Sequence, residues 1–199
     1  MSLIFDSSDL GVEAEHVLQP TLYARAAATL ACAQVVTEFP EGRLSMFDFG
    51  SCWGESLAAL ADVAINRGDG STVVGSEIDP ERRQIATEAT KNLVGIEQIV
   101  GDGIEHLEAN QGAYDIVSAL MFGPSHNGTL AERFLPAALK ALRVGGLIVI
   151  NSDLLTIRAV SDKVELLDRV KALRIEHQDP LVANSSKYPP LPLIVARKV

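Results

Sequence analysis

The run Leu44-Ser45-Met46-Phe47-Asp48-Phe49 ends on Gly50, and after Gly54 a helical pattern follows from Glu55 to Ile65. A short, mostly apolar run of this kind suits a buried strand, and a chain that leaves it through glycines into a helix packs that helix back onto the sheet. The rhythm then repeats. A turn at 66–70 leads to a strand from Ser71 to Glu77 and a helix from Pro80 to about Leu93. A strand from Glu97 to Val100, a short helix from Ile104 to Ala109 and a strand from Tyr114 to Met121 come next. Strands alternating with helices define βαβ units and a parallel sheet.

Beyond a loop at 122–128, Thr129 and Glu132 fit a capping box for a helix reaching Arg143, in which Pro136 predicts a kink or a late start. Gly145-Gly146 closes it, and Leu147 to Ile150 is a fifth strand. The tail reads as a helix from about Ser161 to Ala172, a strand from Leu173 to Gln178 and a last strand from Leu191 to Arg197. No helix joins those two strands, so they are expected to pair antiparallel. The expected fold is α/β: a doubly wound, mostly parallel, seven-stranded sheet with helices on both faces and a C-terminal antiparallel pair. Residues 1–199 form one domain, in which 1–42 is a helical lead-in and candidate lid and 43–199 is the ligand-binding core. The helix of the lead-in begins at Pro20 or Thr21, runs to about Phe39 and places Leu22, Ala26, Leu30 and Ala33 on one face.

The chain carries 17 basic and 26 acidic side chains, a formal charge of −9, and no basic run longer than Arg82-Arg83. A phosphate-tracking surface would work against that field, so a nucleic-acid substrate is not expected. Two cysteines, Cys32 and Cys52, make no disulfide framework, and neither a leader nor a membrane span is legible, so the chain reads as cytoplasmic. No His, Cys or carboxylate group has metal-ligand spacing, and no metal is expected.

Glycines at 50 and 54 let the backbone bend and approach a ligand, and the helix that follows offers unpaired N–H groups. The spacing is G-x-x-x-G with Cys52 between, not the G-x-G-x-x-G that brings a backbone against pyrophosphate, which disfavours a nicotinamide or flavin dinucleotide. Glu77 ends the second strand where a carboxylate accepts both ribose hydroxyls of an adenosine, and Asp102 follows the third strand at the same sheet edge. Alone, Glu77 reads as a solvated strand end and Asp102 as a turn former; together with Asp48 they make a constellation.

The segments F-D-F-G-S-C-W-G, V-V-G-S-E-I-D-P, I-V-G-D-G, Y-D-I-V-S-A-L and L-R-V-G-G-L-I-V-I resemble, in order, the motifs of the class I S-adenosylmethionine-dependent methyltransferases, a Rossmann-like family. The resemblance runs from about Leu44 to Lys198, with Cys52 in place of the family's middle glycine. It implies that Asp48, Gly50, Ser51, Cys52 and Gly54 surround the amino-acid end of S-adenosyl-L-methionine and that Glu77 takes the ribose hydroxyls. It further implies that Ile78 packs on adenine, that Asp102 accepts from the adenine amino group and that the Gly103 backbone meets the ring edge. Met121 to His126 would face the methyl group; His126 is the candidate base, and Met121, Phe122 and Asn151 are candidate acceptor-pocket residues. The implied activity is methyl transfer to oxygen, nitrogen or carbon of a small or medium-sized, non-nucleic acceptor. A regulatory protein that binds the cofactor without transfer is the alternative. An aminopropyl transferase is a weaker one, because Phe122-Gly123-Pro124-Ser125 lacks the paired acids it needs. The acceptor and the oligomeric state are not legible.

Overall fold

The computed structural model describes residues 36, 39, 42–120, 130–151, 163–166, 171–172 and 192–199. Its first half is strictly alternating: β1 (Ser45–Phe49), α1 (Glu55–Arg67), β2 (Thr72–Ser76), α2 (Pro80–Thr90), β3 (Ile96–Val100), α3 (Gly103–Ala109) and β4 (Tyr114–Ala119). A π-helical turn, Leu130–Phe134, then leads into α4 (Leu135–Ala141), followed by β5 (Leu142–Asn151), β6 (Val164–Leu166), β7 (Lys171–Ala172) and β8 (Pro192–Lys198). The strands lie in the order β3-β2-β1-β4-β5-β8-β6, with β7 also on β8. The pairs among β1 to β5 are parallel, and β8 runs antiparallel to β5.

Strand alternation divides the core between the two faces of this sheet. Met46, Val73, Ile116, Leu147, Val149 and Val195 pack with Leu57, Leu60, Ala61 and Ala64 of α1. Their neighbours Phe47, Val74, Val117, Ile148, Ile150, Ile194 and Ala196 pack with α3 and α4 on the other face. This period of two, apolar in both phases, is what a sheet covered by helices on both faces requires. Strand order reverses between β1 and β4, so a crevice opens beyond their C-terminal ends, where α/β sheets bind ligands.

Three expectations are corrected. The helix expected to reach Arg143 ends at Ala141, and Leu142 already lies in β5. The β4–β5 register jumps from Tyr114↔Leu142 to Ile116↔Leu147, and the extra residues bulge out around Gly145 at φ 83° while Arg143 reaches Asp115. Pro136 does enforce a late start: the turn before it is wide, which avoids the clash between its ring and a carbonyl one turn back. In the tail, 164–166 and 171–172 of the expected Ser161–Ala172 helix are strand, because Val164-Glu165-Leu166 alternates and pairs with Leu166↔Ala196 on β8. The sheet accordingly has eight strand segments among the described residues rather than seven. The expected strand at 173–178 and the lead-in helix lie outside the described residues, except that Val36 is helical and buried.

One polar pair is enclosed in the α3 face. His106 Nε2 lies 2.6 Å from the Tyr114 hydroxyl, and its ring stacks on Phe47 at 5.4 Å. Burial and then the Glu97 charge push the Tyr114 phenol up to about 12, so it stays protonated beside the His106 ring. Burial holds His106 below its ordinary value of 6.5. Below pH 6.5 the unfolded chain therefore takes up a proton that the folded chain does not, and stability falls until the folded His106 also titrates. Urea unfolding followed from about pH 7 to about pH 5 should show this loss, and His106→Gln should flatten it.

Candidate cofactor site

The site is built where β1, β2 and β3 end. The Gly50 N–H donates to Ser76 Oγ (3.2 Å) and the Ser51 N–H to the Ser76 carbonyl (2.8 Å), which folds the loop after β1 over the end of β2. Gly50, Cys52 and Gly54 are all left-handed, at φ 71°, 53° and 96°. Gly54 begins α1 against α2: a Cβ there would come within 3.2 Å of Thr90 Cγ2. Cys52 has no such freedom, and a non-glycine residue in this conformation costs roughly 1–2 kcal/mol. Its N–H donates to Glu77 Oε2 at 2.9 Å, which offsets the strain.

Glu77 is therefore a buried carboxylate that joins two loops, since its Oε1 accepts the Asp79 N–H at 3.0 Å. Its own N–H donates to the Val100 carbonyl, which ties in the end of β3. Each carboxylate oxygen has two lone pairs and accepts one backbone bond among the described residues, which leaves room on each for a ligand hydroxyl. Two adjacent acceptors suit the vicinal hydroxyls of a ribose. Beside it, Ile78 is 74% exposed, an open apolar surface for a flat ring.

Asp79 and Asp102 cap α2 and α3. Asp79 Oδ1 accepts from Glu81 and Arg82, and Asp102 Oδ1 accepts the Ile104 (2.8 Å) and Glu105 (3.2 Å) N–H groups. Among the described residues no bond reaches Asp102 Oδ2. Gly103 has a packing reason to be glycine: a Cβ there would strike Ser76 Oγ and lie 2.7 Å from Phe49 Cδ2.

Asp48 lies beneath the loop. It is 1% exposed, and its carboxylate accepts from Ser56 Oγ (2.5 Å) and Ser118 Oγ (2.8 Å). It underpins the loop from β1 and anchors α1 and β4 to it. Ser56, Ser76 and Ser118 were not singled out from the sequence. Their signal was a hydroxyl at an otherwise apolar strand end or helix start, which must find a hydrogen-bond partner when buried.

Asp48, Gly50, Ser51, Cys52, Gly54 and Glu77 are thus joined in one bonded network, with Ile78, Asp102 and Gly103 on the same sheet edge. Asn151 ends β5, paired with Leu193. Met121, Phe122 and His126 lie outside the described residues. Among the described residues no group of three or more His, Cys, Asp or Glu side chains is placed to hold a metal ion, and no helix is long and apolar enough to cross a membrane.

No family model and no curated protein matches the sequence. Solved structures do. A precorrin-6y C5,15-methyltransferase from Geobacter metallireducens GS-15 superposes with a TM-score of 0.56 at 17% identity, over 87% of this chain and 88% of that one. A Haemonchus contortus phosphoethanolamine N-methyltransferase, in complex with phosphoethanolamine and S-adenosylhomocysteine, gives 0.62 at 16% identity, over 97% of this chain but 47% of its own length. The [4+2]-cyclase SpnF gives 0.56 at 15% identity, over 84% and 80%. The chain has the Rossmann-like α/β fold that these proteins share.

Ser118→Ala leaves one oxygen of the buried Asp48 without its hydroxyl donor, so urea unfolding should show a loss of about 1–3 kcal/mol. An unchanged midpoint would remove Ser118 from the network that supports the loop.

Proposed function

We propose that the chain is an S-adenosylmethionine-dependent methyltransferase acting on a small or medium-sized, non-nucleic acceptor at oxygen, nitrogen or carbon, in the cytoplasm. The observation that carries this reading is Glu77, a carboxylate fixed at the switch-point crevice with room on each oxygen for a ligand hydroxyl. The fold, shared with methyltransferases of otherwise distant sequence, supports it. The net charge of −9 favours a non-nucleic acceptor.

In this reading Glu77 takes the ribose hydroxyls, Ile78 covers the adenine and Asp102 Oδ2 accepts its amino group. The backbone from Gly50 to Gly54 encloses the amino-acid end, and Asp48 acts through the loop that it supports. The bound cofactor supplies an electrophilic methyl group on a sulfonium. The chain's own work is to hold the acceptor in line with it, and His126 would take the acceptor's proton where there is one. A second reading, a protein that holds the cofactor without methyl transfer, is favoured by the likeness to a [4+2]-cyclase.

Trp53 is the chain's one tryptophan and lies in the loop itself, so its fluorescence reports directly on the site. Titration with S-adenosylhomocysteine should change it saturably. Glu77→Gln, which replaces one acceptor oxygen by an amide, should weaken binding about tenfold, the effect of losing one hydrogen bond to a charged group. No response at millimolar ligand would contradict the proposal. Transfer of label from the cofactor to components of a cell extract separates the first reading from the second.

A further inference from the structure

Of the eleven residues of α2, only Arg83, Ala86 and Thr90 are not exposed, a spacing that forms one inward stripe. Ala86 and Thr90 are buried, as an inward stripe should be. Arg83 places a cation at the top of that stripe, on the turn nearest the site.

The position is unusual for a second reason. With Asp79 as the cap, Ile78 and Arg83 occupy the pair of positions, just before the cap and four residues after it, where two apolar side chains commonly meet and fix the entry of a helix. Here the second partner is charged. The staple is not made, and Ile78 is left 74% exposed. The Arg83 guanidinium instead lies against Gly101, where a Cβ would collide with Nη1. Gly101 leaves room for this side chain, and Asp102 follows it directly. Among the described residues no carboxylate pairs with Arg83, although its neighbour Arg82 pairs with Asp79 at 3.7 Å.

We propose that Arg83 is a specificity-determining residue of the site: it donates from its guanidinium to a ring nitrogen of the ligand's base, beside the acceptor Asp102 Oδ2. A donor next to an acceptor, with an apolar wall at Ile78, reads a flat heterocycle that offers an acceptor next to an amino group. Adenine has ring nitrogens flanking its amino group and fits. Hypoxanthine, which carries an N1–H beside a carbonyl where adenine has a bare N1 beside its amino group, meets the Arg83 donor and the Asp102 acceptor both with the wrong polarity. The inference rests on the proposed function, because it assigns the base of the same ligand.

The test compares S-adenosylhomocysteine with S-inosylhomocysteine by Trp53 fluorescence in the wild type, Arg83→Met and Arg83→Lys. Methionine keeps a long apolar stem over Gly101 and has no donor. Lysine keeps the charge without the planar fork. The wild type should prefer the adenosyl ligand at least tenfold. Arg83→Met should lose the part of that preference set at N1, keeping the part set by Asp102, with its thermal midpoint unchanged, and Arg83→Lys should fall between. Equal preference in the wild type and Arg83→Met would overturn the inference while leaving the proposed function standing. So would a parallel loss of affinity for both ligands. Failure of the wild type to bind either ligand would overturn both.

Discussion

Two backbone N–H groups, one from Cys52 after β1 and one from Asp79 after β2, converge on the carboxylate of Glu77. The loop over the crevice depends on this convergence. Cys52 stands in a left-handed conformation that only glycine adopts without strain, and the bond to Glu77 Oε2 offsets that cost. Together with the Gly50 and Ser51 bonds to Ser76, it holds the backbone between Gly50 and Gly54 over the end of β2. The same carboxylate fixes the entry to α2 through Asp79, and its backbone joins the end of β3 through Val100. A group that would bind a ligand thus also assembles the surface on which the ligand would lie, and little reorganisation is left for the moment of binding.

Beneath this surface the polar layer continues downward. Asp48 is enclosed by hydroxyls from α1 and β4, Ser76 holds the Gly50 N–H, and Gly103 leaves room for Ser76 and Phe49. Serine is small enough to sit in a parallel sheet covered on both faces, and each of these hydroxyls has a partner. The polar layer lies at the strand ends, where the sheet order reverses, and the apolar clusters fill the rest. The fold positions the site through this division: α1 and the strands form a rigid apolar body, and the loops above it are fastened to one another rather than to solvent.

Much of this was legible in the sequence. Short apolar runs marked β1, β2 and β4 within a residue or two, because burial on both faces leaves few alternatives. Asp79-Pro80 marked a helix start that its cap bonds reproduce, whereas Asp102, read as a turn former, also caps a helix. The mistakes share a cause. Gly145-Gly146 reads as a helix end by local chemistry, yet pairing with β4 and the Arg143–Asp115 contact draws the chain into a bulged strand. Val164-Glu165-Leu166 lies in a segment of helical pattern, and its strand character is set by β8, more than twenty-five residues further along the chain. Both outcomes are tertiary, and propensity cannot see them. At the site, the carboxylates were legible by their place at strand ends. The serines beneath them were not, since a lone hydroxyl in an apolar run carries no spacing, and Arg83 looked like half of a basic pair until its neighbour turned out to face solvent.

In the proposed function the Cys52–Glu77–Asp79 junction is the floor of a nucleoside site. Backbone amide NMR tests it at the atoms concerned. On addition of S-adenosylhomocysteine, the amide resonances of Cys52, Asp79 and Gly103 should shift together and saturate on one binding curve, while those of β8, on the far side of the sheet, stay in place. Shifts confined to residues away from the ends of β1, β2 and β3, or none at saturating ligand, would contradict it.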